Sequence, residues 1–241
     1  MGRNAERDRI QIEQTRTRLI EAGQKAILGM GLDRVKVRDI VGQAGVGVGT
    51  FYFHFGNLEQ FLQEAIQSSI EEARSRVRHI RGLRDGSVLE DPTARIRGSF
   101  EAFFEFIDEH RTLALILLRE RGGGGRFGQL IRDEFRLFID DLAEDLERVA
   151  ELGLIVPGVP PRLASEAILG MTLQLAESYA EQAITDEEDS RPALPASAPQ
   201  RREQIVDTLT RISLAGLLSD EAAGLLGGEN DDAGAGSEQE R

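Results

Sequence analysis

The segment DIVGQAGVGVGTFYFHF, residues 39–55, decides how this chain folds. It sets four glycines, at 42, 45, 47 and 49, directly before four of the chain's thirteen aromatic residues: Phe51, Tyr52, Phe53 and Phe55. Glycines in such a run either cradle a phosphate or form a corner between helices. A dinucleotide fingerprint needs G-x-G-x-x-G after a strand, and a P-loop needs G-x-x-x-x-G-K-[ST]. Here the order is G-x-x-G-x-G-x-G, no lysine follows, and the preceding segment has helical spacing. The corner reading fits. Val37, Ile40, Val41 and Ala44 recur at i, i+3, i+4, i+7, two helical turns with one buried face. Gly45 supplies a stop, because a left-handed residue costs least without a Cβ. A second short helix follows, in which Val48, Phe51 and Phe55 share a face and can pack on the first. Thr50, Tyr52, Phe53 and His54 turn outward. Two short helices joined by a glycine turn, with polar and aromatic groups displayed, make a helix-turn-helix.

Working outward, charge separates the two ends of the chain. The 241 residues carry a net charge of −13, yet residues 1–56 hold nine Lys/Arg against six Asp/Glu. A mildly basic head that can approach phosphates is thus joined to an acidic body. Cysteine is absent, which excludes disulfides, thiolate metal sites and a cysteine nucleophile, and suits a reducing cytoplasmic setting. The start, MGRNAERDRIQIEQ, lacks the apolar core of a signal peptide, and LALILL at 113–118 is too short to cross a bilayer, so no membrane role is expected.

Beyond the head, helical periods dominate and no strand alternation bounded by hairpin signals is found. Ile96, Phe100, Phe103, Phe104 and Ile107 follow the 3.6 period, as do Phe127, Ile131, Phe135, Phe138, Leu142, Leu146 and Val149. Breaks fall at 82–92, at the GGGG of 122–125, at PGVPP of 157–161 and at RPALPASAP of 191–199. The expected architecture is all-α, of about nine helices. An arm (1–14), a head (15–75, with the helix-turn-helix at 38–57) and a larger helical body (76–224) precede an acidic tail (225–241) expected to be disordered.

The run VRDIVGQAGVGVGTFYFHFGNLEQFLQEA, 37–65, resembles the DNA-binding segment of TetR-type transcriptional regulators, and TRTRLIEAGQKAILGMGLDRVKV, 15–37, fits that family's first helix and link. The resemblance implies a homodimeric repressor that binds a palindromic operator in duplex DNA. It further implies that residues 15–75 form a three-helix DNA-binding domain, that the larger helical body holds a small-molecule effector, and that the dimer interface is built from the last two helices. Carried onto this sequence, Arg38 would contact a phosphate or guanine edge. Val48, Gly49, Thr50, Tyr52, Phe53 and His54 would face the major groove, and Asn57 would cap the fourth helix beside a phosphate. Two positions depart from the family pattern: Gly47 replaces a common Ser or Thr, and Leu58 replaces a lysine.

In the body, ALILLRERGGGGRFGQLIRDEFRLFIDDLAEDLE, 114–147, resembles the branch controlling unsaturated fatty-acid synthesis (FabR- and DesT-like regulators). That likeness implies a long-chain acyl-CoA effector and a role in lipid metabolism, with Phe100, Phe103, Phe104, Phe135 and Phe138 lining an acyl channel and Arg119, Arg121 and Arg126 meeting the CoA phosphates. The competing reading makes the phenylalanines ordinary core and pairs the arginines with Glu120, Asp133 and Glu134. For the dimer, Leu163, Ala167, Ile168, Met171 and Leu175 share one helical face, and Ile205, Leu209, Ile212 and Gly216 another.

An enzyme is not expected. His54, His79 and His110 have no metal-ligand spacing, and no activated nucleophile or cofactor motif is present. Two rival readings are a helical lipid-binding protein with a weak DNA head, suggested by Leu58 and the acidic net charge, and a regulator of efflux responding to xenobiotics.

Overall fold

The computed structural model describes residues 2–81, 92–123, 125–188 and 198–218. These form nine α-helices: α1 (Gly2–Met30), α2 (Val37–Ala44), α3 (Val48–His54), α4 (Leu58–Arg81), α5 (Pro92–Glu109), α6 (Arg111–Gly122), α7 (Gly128–Glu151), α8 (Pro161–Glu188) and α9 (Ala198–Leu217). The expected all-α class is found, with no strand among the described residues beyond one isolated antiparallel bridge between Ile155 and Leu218. The breaks expected at 82–92 and 191–199, and the tail expected at 225–241, lie largely or wholly outside the described residues. α1 starts at Gly2, so the residues read as an arm continue the first helix rather than precede it.

Local chemistry sets the limits of the head helices. The Asp39 carboxylate accepts the backbone N–H of Lys36 at 3.1 Å and fixes the start of α2. Gly45 ends it in the left-handed conformation, φ 65°, and the next N–H, of Val46, reaches the Val41 carbonyl at 3.1 Å. Space around Gly45 is open, so a side chain there meets only backbone strain. Gly45→Ala is therefore expected to lower stability by about 1–2 kcal/mol, read from urea unfolding. At α4, Asn57 Oδ1 accepts the Gln60 N–H at 2.8 Å, as an N-cap should. The Gln60 side-chain amide donates in turn to Glu64 at 3.5 Å.

α1 and the rings of α3 pack on the first half of α4, α2 packs on α1 and α3, and the second half of α4 packs between α5 and α7. A single apolar core, from Leu19 to Leu217, runs through head and body alike. At 1.5 Å per residue the 24-residue α4 is about 36 Å long. It is the one element that belongs fully to both halves. A ladder of polar contacts fastens it to α7. Gln67 donates to Glu134 at 2.6 Å, Arg74 holds Asp141 through two bonds of 2.6 and 2.8 Å, and Arg81 lies 3.4 Å from Asp145. The Asp141 carboxylate beside Arg74 raises that guanidinium's pKa further, so Arg74 stays cationic.

Candidate nucleic-acid interface and ligand cavity

The short helix α3 sorts its rings by face. Phe51 and Phe55 are buried and join Phe61 of α4, with ring centroids 5.5 Å apart within the pair and 5.2 and 4.8 Å from Phe61. Arg16 of α1 stacks its guanidinium 5.1 Å over Phe55 and pairs with Glu64, closing this floor from the α1 side. On the opposite flank Phe53 is 70% exposed, Tyr52 54% and Val48 50%. Val48, expected to share the buried face, is half in solvent. A stack worth about 1.5–3 kcal/mol for each buried ring thus supports a flank on which two further rings are left in water.

The remaining head residues singled out in the sequence frame that flank. Arg38, at the start of α2, is 77% exposed and makes only a loose 3.7 Å contact with its neighbour Asp39. Gly49 and Asn57 are exposed, while Thr50 and His54 are partly covered. His54 stands edge-on to Phe53 at 5.1 Å. With Tyr52 these side chains offer one cation, two hydroxyls, an imidazole and an amide. Hydrogen-bonding groups of this kind suit phosphate oxygens and base edges, and the apolar rings suit a thymine methyl.

The body contains a cavity of about 170 Å³ at the far end of α4. Its walls come from α4, α5, α7, α8 and α9 and are mostly apolar; Phe100, Phe103 and Phe138 belong to them. Phe104 and Phe135 do not line it: Phe104 is buried against Tyr179, edge to face at 5.7 Å, and Phe135 lies beside Phe138 at 5.9 Å. Arg119, Arg121 and Arg126 are also outside. Arg119 pairs with Glu181 at 2.8 Å and Arg126 stacks on Phe127 at 4.6 Å.

The cations in the wall are instead Arg81 and Arg95, with Asp145 as the acid. Burial pushes the Arg81 guanidinium below its ordinary pKa and lifts Asp145 above the usual carboxylate value, each opposed by the other's charge. Sequence reading missed this pair, because its members are far apart in the chain. A usable signal existed in the matching stripes of Arg74, Arg78 and Arg81 on α4 and Glu134, Asp141 and Asp145 on α7. Among the described residues no cluster of His, Asp or Glu could hold a metal ion.

Residues 19–65 match the family model for bacterial regulatory proteins, tetR family, a span that contains α2, α3, the buried rings and the exposed flank. Residues 19–65 are a TetR-type DNA-binding segment. Over 180 residues the chain is 28% identical to YdgC, an uncharacterized HTH-type transcriptional regulator of Bacillus subtilis strain 168; the match covers 72% of the chain and 85% of YdgC. The fold of the chain is shared by the transcriptional regulator FadR of Bacillus subtilis, solved in complex with stearoyl-CoA (TM-score 0.65, 18% identity, 83% of this chain and 98% of that one). SmeT, the repressor of the Stenotrophomonas maltophilia multidrug efflux pump SmeDEF, shares it too (TM-score 0.63, 19% identity, 86% and 92%). No described helix of the chain is long and apolar enough to cross a membrane.

Proposed function

We propose that this protein is a homodimeric repressor which binds a palindromic operator through α2 and α3 and changes its grip when a hydrophobic small molecule occupies the body cavity. The observation that carries the first half is the sorting of rings on α3, with Phe51 and Phe55 buried beneath Tyr52 and Phe53 in solvent. Water-exposed rings on a rigid floor are costly unless a partner covers them, and the neighbouring Arg38 suits a polyanionic partner.

The dimer reading rests on α8 and α9. Ile168, Leu169 and Leu173 of α8 pack into the body, yet the opposite side of the helix leaves Leu163 61% exposed, with Ala167 and Gly170 also in solvent. On α9, Ile212 is 49% exposed and is flanked by exposed Ala215 and Gly216. Two helices that are apolar on both sides need a second covering layer, and small residues permit close approach by a symmetric copy.

The link between cavity and head is α4. A ligand that moves the Arg81 end of this helix displaces the Asn57 end and α3 with it, because the ladder to α7 and the ring stack resist bending. Two recognition helices must match successive major grooves roughly 34–36 Å apart, so a shift of a few ångströms changes affinity. FadR with stearoyl-CoA supports a hydrophobic effector connected with lipid metabolism, and SmeT supports a xenobiotic one.

The test is titration of the duplex upstream of the regulator's own gene with wild-type protein, Tyr52→Ala and Arg38→Ala. Each variant is expected to bind at least tenfold more weakly, following the loss of about 1–3 kcal/mol per direct contact. Unchanged affinity in both, with the fold intact, would favour a lipid-binding protein whose head does not read DNA.

A further inference from the structure

Two buried polar side-chain atoms of the cavity wall have no hydrogen-bond partner: Arg81 Nε, at the end of α4, and Ser213 Oγ, on α9. Such atoms are uncommon in folded proteins, because a buried donor left unpaired costs its full desolvation. The other hydroxyls of the wall are satisfied within their own helices, Ser99 by the Arg95 carbonyl and Thr172 by the Ile168 carbonyl, each at 2.8 Å. Ser213 is 3% exposed, so its hydroxyl does not turn to solvent instead.

What would satisfy these atoms follows from what they can do. Arg81 Nε only donates, and Ser213 has one O–H of its own to donate. Asp145 Oδ2, 3.4 Å from Arg81 Nε, compensates the guanidinium charge without the alignment of a hydrogen bond. The need is therefore for an acceptor, not for a counter-ion. An anion would meet the Asp145 carboxylate in an otherwise mostly apolar wall and lose its hydration for little return. An alcohol accepts from Arg81 but brings a hydrogen that needs an acceptor in turn. A carbonyl oxygen has two lone pairs, no hydrogen and no charge, and answers both donors. Size limits the remainder: a cavity of about 150 Å³ houses benzene, and this one is about 170 Å³.

We propose that the cavity takes a compact, neutral carbonyl compound, a ketone, ester or lactone of about one ring in size, whose oxygen accepts from Arg81 Nε and Ser213 Oγ. This deepens the reading of the cavity as the effector site and rests on it. The contact joins the end of α4 to α9 beside Ile212, the residue next to Ser213 that is 49% exposed.

Binding is measured by calorimetry on the full chain with acetophenone, its oxygen-free analogue ethylbenzene, its alcohol 1-phenylethanol, and benzoate. Acetophenone is expected to bind at least tenfold more tightly than benzoate, and more tightly than 1-phenylethanol. Ethylbenzene reports the apolar contribution alone, so the hydrogen bonds are read from variants. S213A is expected to weaken acetophenone about fivefold and to leave ethylbenzene within about twofold. Removing Arg81 alone would strand the Asp145 charge, so the double variant R81M/D145V replaces both charges with apolar groups. It is expected to weaken acetophenone at least tenfold and to keep ethylbenzene; S213A, a small change, serves alone if the double variant does not fold. Benzoate or 1-phenylethanol binding as tightly as acetophenone, or S213A that spares acetophenone or weakens it and ethylbenzene alike, overturns the carbonyl proposal while leaving the cavity reading in place. Leu169→Trp, which fills the cavity, separates the two failures, with Val149→Phe in its place should it not fold. Binding of acetophenone and ethylbenzene that survives the filling, or no binding of any of the four by the wild type, overturns the cavity reading itself.

Discussion

Phe61→Ala will lower the stability of the DNA-binding head by about 3–5 kcal/mol, the range for deleting a fully buried aromatic ring. Phe61 is the hinge of the ring stack: it touches Phe51 and Phe55 of α3 from its place in the first turn of α4. Its ring also fills the space opposite Gly23 of α1, where an added Cβ would lie 2.3 Å from Cζ. Truncation opens a cavity between three helices at once, and none of them can collapse without losing its other contacts. The body end of α4 is held separately by α5 and α7, so thermal unfolding is expected to show an early transition in the head. Operator affinity should fall even below that transition, because α3 loses the floor that fixes its outer flank. A cost below about 1 kcal/mol would mean that the stack does not brace α3. Gly23→Ala tests the same packing from α1; forcing a methyl against Phe61 is expected to cost about 1–3 kcal/mol, partly offset by the better helix propensity of alanine.

The second large effect is expected at the cavity. Arg81→Met removes the nearer counter-charge of Asp145 and leaves its carboxylate in a mostly apolar wall with Arg148, at 3.7 Å, left to oppose it. A fully buried pair broken in this way loses about 3–5 kcal/mol, and since the Asp145 side chain is 20% exposed the lower end of that range, about 3 kcal/mol, is expected near neutral pH. The loss depends on pH with a definite sign. Burial already raises the Asp145 pKa in the folded protein, and deletion of Arg81 removes the largest opposing influence and raises it more. The folded state of the variant then binds this proton more tightly than the unfolded chain does. Its stability is greatest at acid pH and falls as pH rises from the ordinary carboxylate range through the raised value. Urea unfolding of wild type and Arg81→Met from pH 4 to 8 should show the difference between them growing with pH. A constant difference would place Asp145 in a solvated setting, contrary to the geometry.

Different parts of this molecule were legible in the sequence to different degrees, for physical reasons. The helix-turn-helix is short-range. Its first helix shows in the i, i+3, i+4, i+7 spacing of Val37, Ile40, Val41 and Ala44, its stop in Gly45, and its cap in Asn57, all within a few residues of the bonds they make. The apolar faces of α5 and α7 were likewise visible from their period, with Ile131 and Phe104 fully buried. Which phenylalanines meet the cavity was not legible, because a helix face wide enough for five rings touches both the cavity and the neighbouring helices. Phe103 and Phe104 are adjacent and point to different surroundings. Long-range polar pairing was hidden altogether. Asp108 accepts the Tyr179 hydroxyl at 2.6 Å and the Arg202 guanidinium at 2.9 Å, tying α5 to α8 and α9. Burial and this bond push the Tyr179 phenol up to about 12.

Binding of duplex DNA across a range of salt concentrations tests the central claim most directly, namely that the exposed flank of α3 reads bases while Arg38 beside it holds a phosphate. Fluorescence anisotropy with the upstream duplex and a random duplex of equal length is sufficient. The account predicts affinity for the upstream duplex at least about a thousandfold above the random one, and a steep linear fall of log affinity with log salt in which each neutralised phosphate contributes a slope of about 0.9. Equal affinity for both duplexes, with little response to salt, would contradict it.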